Sequence, residues 1–82
     1  MNRRKLLLKI SRSPANVRFR DMVSLVEGFG FSLLRVNGSH HIFGHVGIAE
    51  QLNLQDVQGD AKPYQVRQFL RIVERYDLTL KQ

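Results

Sequence analysis

Phe31-Ser32-Leu33-Leu34-Arg35-Val36-Asn37-Gly38-Ser39-His40-His41-Ile42-Phe43-Gly44-His45 is the stretch that decides the fold. Phe31 to Val36 reads as a strand. Asn37-Gly38 is among the strongest two-residue hairpin signals, because both central residues of a type I′ turn need positive φ. Ser39 to His45 is then the return strand, with Gly44 and Gly47 loosening its end. Further on, Ile48 to Gln51 reads as a loop. Gln51-Leu52-Asn53-Leu54-Gln55 alternates polar and apolar residues and predicts a third, half-buried strand, closed by Gly59-Asp60.

Helices flank this meander. Upstream, Phe19, Met22, Val23 and Val26 fall at i, i+3, i+4 and i+7, one apolar stripe on a helix from about Arg18 to Gly28. Gly28 and Gly30, on either side of Phe29, suit its stop. Downstream, Pro63 opens a second helix, on which Val66, Phe69, Leu70 and Val73 repeat the stripe and Tyr76 extends it. Arg3 to Ile10 predicts a short additional helix, followed by a Ser11–Asn16 linker containing Pro14. The expected fold is α+β, in the order α-β-β-β-α. A three-stranded antiparallel sheet carries both amphipathic helices on one face and leaves the other open, with a short helical extension in front. The expected division is a basic extension over residues 1–17 and a single domain over residues 18–82.

The 82 residues leave no room for a second core. A domain this small buries only ~60% of its unfolded surface, so a partner would add stability. The hydrophobic fraction of 43% is that of a globular chain. The lack of cysteine excludes a disulfide scaffold and thiolate metal sites. No apolar run approaches the ~18 residues of a membrane span. Lys9 and Arg12 interrupt the apolar run Leu6-Leu7-Leu8 before a secretory leader can form, so a cytoplasmic protein is expected. The net charge of +6 is unevenly placed: residues 1–20 hold Arg3, Arg4, Lys5, Lys9, Arg12, Arg18 and Arg20 and no acid. Such a segment suits either a solubilising tail or a surface that gathers polyanions, nucleic acid first among them.

All three histidines, His40, His41 and His45, fall within six positions. Histidine titrates near neutral pH and can move a proton in phosphodiester cleavage. A shared metal site is disfavoured by strand geometry. His40 and His41 point to opposite faces, and His41 and His45 lie ~13 Å apart at ~3.3 Å per residue, whereas zinc nitrogens need to sit ~2 Å from one ion. A histidine just after a tight turn stands where a phosphate can reach it, with turn amides able to face the anion and Arg35 near the same position. Ordinary strand residues, one partly buried and one exposed, fit the same spacing. Arg67, Arg71 and Arg75 line one side of the last helix with Lys62 at its entrance. Such a line suits a nucleic-acid backbone or a solvated helix face. Tyr64, in the first turn of that helix, suits a stacked base or a protein interface.

At Gly38-Ser39-His40-His41-Ile42-Phe43 the sequence resembles the HicA toxin family. The family's fingerprint is a glycine, a small residue and a histidine opening the second strand, with an aromatic residue three places later. Gly28-Phe29-Gly30-Phe31 and Arg35-Val36 upstream, and Ala61-Lys62-Pro63-Tyr64-Gln65-Val66-Arg67 downstream, extend the likeness in the right order. The resemblance covers roughly Phe19 to Tyr76. It implies the fold of a double-stranded-RNA-binding domain and a ribosome-independent endoribonuclease that cleaves messenger RNA through one essential histidine. By position that is His40, with His41 as its competitor and Gly38 and Ser39 shaping the turn. With RNA as the substrate, the basic residues already singled out by position, Arg35, Lys62, Arg67 and Arg71, are the expected RNA contacts. The resemblance further implies metal-independent chemistry with no cofactor, and a HicB-type antitoxin held in a hetero-oligomeric complex. Two departures stand out: Val46 follows His45 where many members have proline, and Leu52 to Val57 lacks the histidine or proline common at the end of the third strand.

Two other readings remain open at this level. A non-catalytic RNA-binding module of the same fold usually carries a dense lysine cluster at the start of its last helix, where this chain has only Lys62. A small interaction domain without a nucleic-acid role is disfavoured by the basic balance and the turn histidines.

Overall fold

In the computed structural model, which describes residues 2–81, the elements run α1 (Arg3–Arg12), α2 (Phe19–Gly28), β1 (Ser32–Asn37), β2 (His40–His45), β3 (Ile48–Val57), β4 (Asp60–Ala61) and α3 (Pro63–Arg75). The helix–strands–helix order is the expected one. The sheet, however, has four antiparallel strands in the order β1-β2-β3-β4, not three.

The extra strand follows from the turn at Gln58-Gly59, where both residues take positive φ, 53° and 90°. This is the type I′ pattern. Asp56 Oδ1 accepts the Gly59 N–H at 2.8 Å and holds the turn. β4 then pairs on its far side with the chain entering α2. Ala61 N–H donates to Val17 O, and Phe19 N–H donates to Gly59 O, both at 2.8 Å.

Two local expectations are corrected. The β1–β2 hairpin closes one residue later than Asn37-Gly38. Asn37 pairs with His40, so the loop is Gly38-Ser39. Only Gly38 has positive φ (62°). A glycine alone at the first central position is the type II′ requirement, which Gly38-Ser39 meets and which asks nothing of Asn37. Residues 48–51, expected as a loop, begin β3. His45 pairs with Ile48 across a two-residue Val46-Gly47 turn, and Gly47 N–H donates to His45 Nδ1 at 2.9 Å.

Alternation along the strands divides the sheet into two faces. Phe43 on β2 and Leu52 and Leu54 on β3 point at the helices and are buried with Phe19, Met22, Val26, Val66, Phe69 and Ile72. Phe69 packs edge-on against Phe29 and Phe31, with centroids 5.5 and 6.2 Å away. Burying each such side chain contributes about 1.5–3 kcal/mol. His40, Ile42, Asn53 and Gln55 alternate with these residues and face away from the helices. β1 is an edge strand, exposed along its whole length, and a bulge between Leu33 and Arg35 interrupts its register.

α1 is capped by Asn2, whose Oδ1 accepts the Lys5 N–H at 2.9 Å. It buries Leu6 and Ile10 against the rest of the core. Arg3 Nε donates to Ser24 Oγ on α2. Lys81 N–H donates to Gly28 O at 2.7 Å, bringing the C-terminal segment onto the same helix. α2 is thus enclosed on more than one side, and Leu25, off the expected stripe, is buried too. At the other end, Glu50 Oε1 accepts hydrogen bonds from Tyr76 Oη (2.6 Å) and Arg75 Nη1 (2.8 Å), tying the start of β3 to the end of α3.

Candidate active site

The corner formed by Gly38, Ser39 and the first residues of β2 places the two neighbouring histidines on opposite faces. His41 points toward the helices. Its ring lies 4.7 Å from that of Phe19, and its Nδ1–H donates to Ser39 O at 3.2 Å. His40 points to the open face, directly across from Asn37 on one side and Gln55 on the other. Its Nδ1 lies 3.0 Å from Asn53 Oδ1. His45 shares the helix side with His41 and packs edge-on against Phe31 at 5.1 Å. Among the described residues no group of three or more histidine, aspartate or glutamate side chains is placed to hold a metal ion.

Ser39 is held from three directions. Its carbonyl accepts Asp56 N–H (2.9 Å) as well as the His41 ring proton, and its hydroxyl oxygen accepts Gln55 Nε2–H at 3.2 Å. Gln55 is in turn fixed from α3. Gln65, a buried polar side chain at 3% exposure, accepts Gln55 N–H on Oε1 at 2.8 Å. Its Nε2 donates to Tyr64 Oη at 3.4 Å. The turn that presents His40 is therefore braced through β3 to the helix layer.

Arg35 stands across from Ile42, two residues along β1 from Asn37, the partner of His40, and is exposed on the same corner. Lys62 is the residue before Pro63, with its Nζ 5.9 Å from the centroid of the Tyr64 ring. Arg67 and Arg71 are exposed on α3, whose packing side covers the face of the sheet opposite His40. The structure brings Gly38, Ser39, His40 and Arg35 together. It leaves Arg67 and Arg71 on the other layer.

Asn53, Gln55 and Gln65 do not stand out in the sequence. Asn53 and Gln55 are the polar members of an alternating strand, which look like plain solvent-facing residues until the register puts them beside His40 and Ser39. One signal does separate the histidines: His41 has the parity of Phe43, and His40 does not.

The resolved electrostatic perturbations lie at the far end of β3. The Glu50 carboxyl is held below its ordinary range, first by the Tyr76 hydroxyl and then by Arg75. Tyr76 and Arg75 are both raised, chiefly by hydrogen bonding to Glu50.

The family model described as "HicA toxin of bacterial toxin-antitoxin" matches residues 19–74, from the first residue of α2 to the last turn of α3. The chain belongs to the HicA toxin family. The matched span holds the whole sheet and the hairpin corner, so the toxin role rests on the part of the fold that carries His40. Membership also implies an antitoxin counterpart. Comparisons with curated proteins and with solved structures gave no match. No helix among the described residues is long and apolar enough to cross a membrane.

Proposed function

We propose that this HicA-family toxin is a ribosome-independent endoribonuclease that cleaves messenger RNA, with His40 as its acid–base group. The observation that carries the reading is the placement of His40 on the open face of the hairpin corner, half-exposed, beside Arg35 and the Gly38-Ser39 turn. His41 is engaged by Phe19 and Ser39 on the helix side.

The chemistry that fits is attack by the ribose 2′-hydroxyl. His40 takes the 2′-OH proton, the 2′-oxygen–phosphorus bond forms and the phosphorus–5′-oxygen bond breaks. The departing 5′-oxygen takes a proton from solvent, leaving a 2′,3′-cyclic phosphate and a 5′-hydroxyl end. A positioned general base contributes about 10²–10⁴-fold to such a step. Arg35 is placed to approach the phosphate, and Lys62, Arg67 and Arg71 extend the basic surface along the path of a longer strand. No cofactor or metal has a role in this scheme.

Residues 18–82 are proposed as the working domain, with the basic segment 1–17 raising the local concentration of polyanions around it. The toxin is held in check by a HicB-type antitoxin that covers the corner in a hetero-oligomer, in the cytoplasm where its RNA target lies.

Incubating the purified protein with an end-labelled transcript tests the reading. Cleavage with cyclic-phosphate ends, lost in His40→Ala and kept in His41→Ala, supports it. RNA that is retarded but uncut supports a non-catalytic RNA-binding module instead.

A further inference from the structure

We infer that Asn53 is the positioning residue for His40: from β3 it fixes which ring nitrogen carries the proton and turns the other toward RNA. The inference deepens the reading of His40 as the acid–base group and rests on it for its functional meaning, though not for its structural content.

A neutral histidine carries one proton, on Nδ1 or on Nε2, and the nitrogen without it holds the lone pair that acts as a base. The amide oxygen of Asn53 can only accept. At 3.0 Å from Nδ1 it selects the form in which Nδ1–H donates to it, leaving the lone pair on Nε2. That nitrogen has no hydrogen-bond partner among the described residues, and the ring stands on the open face. Asn53 lies diagonally across from His40 on the same face, opposite Ile42, within reach of a cross-strand side-chain pair.

The amide suits both stages of the cycle. Before transfer it holds the ring and directs the lone pair outward. After Nε2 takes the 2′-hydroxyl proton, Nδ1–H still donates to the same oxygen, whose dipole stabilises the imidazolium. An amide does not take up the Nδ1 proton, so the base character stays on Nε2. Gln55, two residues along β3, holds the Ser39 hydroxyl oxygen from the donor side, through its Nε2–H. Two outward polar positions of this strand thus hold the two neighbouring residues of the corner.

The test is two-bond nitrogen–proton NMR of the ¹⁵N-labelled full chain, recorded where the histidines are neutral, with His40→Ala assigning the His40 signals. The wild-type ring is expected to be predominantly the Nδ1–H tautomer. Asn53→Ala is expected to shift it toward Nε2–H, the form a free histidine side chain favours, and Asn53→Asp, which keeps an accepting oxygen, to restore Nδ1–H. A wild-type ring already in the Nε2–H form, or a tautomer unchanged in Asn53→Ala, overturns the inference. In the transcript assay, Asn53→Ala is expected to lower the rate at saturating RNA about tenfold or more, with little change in KM. If the wild type cuts no RNA, the ribonuclease reading fails while the tautomer pattern still decides the role of Asn53.

Discussion

The ring of His41 packs against that of Phe19 with centroids 4.7 Å apart and planes tilted by 57°, one residue from a histidine that faces the other side of the sheet. The two imidazoles therefore respond differently to removal. His41→Ala takes away the ring packing and the hydrogen bond to Ser39 O and is expected to destabilise the fold by about 1–3 kcal/mol. His40→Ala, on the open face, is expected to change stability by less than about 0.5 kcal/mol. Urea midpoints at constant m-value measure both. The reverse ranking would mean that the faces of β2 are assigned the wrong way round.

The hairpin glycine gives a second expectation. A Cβ on Gly38 would meet nothing within 4 Å, yet φ there is +62°. The whole cost of substitution is conformational. Gly38→Ala is expected to cost about 1–2 kcal/mol, and Gly38→Asn less, since asparagine tolerates the left-handed region. At Gly28 a Cβ would approach Arg3 Cδ to 2.7 Å and Leu80 Cδ1 to 2.8 Å. Gly28→Ala should therefore act by pushing aside the Arg3 and Leu80 side chains. Thermal melts rank the three, and chemical shifts of Arg3 and Leu80 should move only in Gly28→Ala.

The helices, their stripes and the meander were legible because periods of 3.6 and 2 are written directly in the apolar residues. The turns were less so. Asn37-Gly38 carries the stronger type I′ signal, but Gly38 serves a type II′ turn equally well, and that turn is the one formed. The type I′ geometry falls instead at Gln58-Gly59, where glutamine gives little warning of a positive φ. β3 begins at Ile48 because Val46-Gly47 makes a tight turn without an Asn or Asp signal. At the site, two adjacent histidines must face opposite ways, but which way the helices lie depends on Phe43, two residues beyond His41. The roles of Asn53, Gln55 and Gln65 depend on register and on packing with α3, and strand alternation encodes neither.

Gln65 is the brace between helix and corner. Its Oε1 takes the N–H of Gln55 at 2.8 Å in a site only 3% exposed. Gln65→Leu keeps the bulk and leaves that N–H without its acceptor, at a cost of about 1–3 kcal/mol. Amide exchange at Gln55 should accelerate by more than the global drop in stability accounts for, and Ser39 should loosen with it. Unchanged exchange at Gln55 in the leucine variant would mean that the turn is held without α3.

The Glu50 cluster sets a pH dependence. The folded carboxyl lies below its unfolded value because Tyr76 Oη–H and Arg75 donate to it. A depressed carboxyl contributes stability that is present above the unfolded pKa and is lost as pH falls through the folded one. The folded Tyr76 hydroxyl is raised, so its contribution is present below the unfolded tyrosine pKa and is lost as pH rises through the folded value. Denaturation of Glu50→Gln and the wild type from pH 7 downward should therefore show a stability gap that closes in the acid range. Tyr76→Phe should show a gap that closes in strong alkali. A gap for Glu50→Gln that widens on acidification contradicts the geometry.

Arg35 stands with His40, whereas Arg67 and Arg71 lie on the helix layer, so their contributions to RNA binding should separate by RNA length. For a single strand, removing one phosphate-binding cation makes the slope of log K against log salt shallower by about 0.7. Arg35→Ala should lower that slope for an oligonucleotide just long enough to occupy the corner, and should slow its cleavage. Arg67→Ala combined with Arg71→Ala should leave the slope for the short oligonucleotide in place and reduce it only for a transcript long enough to pass around the sheet edge to α3. Equal effects of both variants on the short RNA would place the strand across the helices, and His40 would then lie on the wrong side of the sheet to reach it.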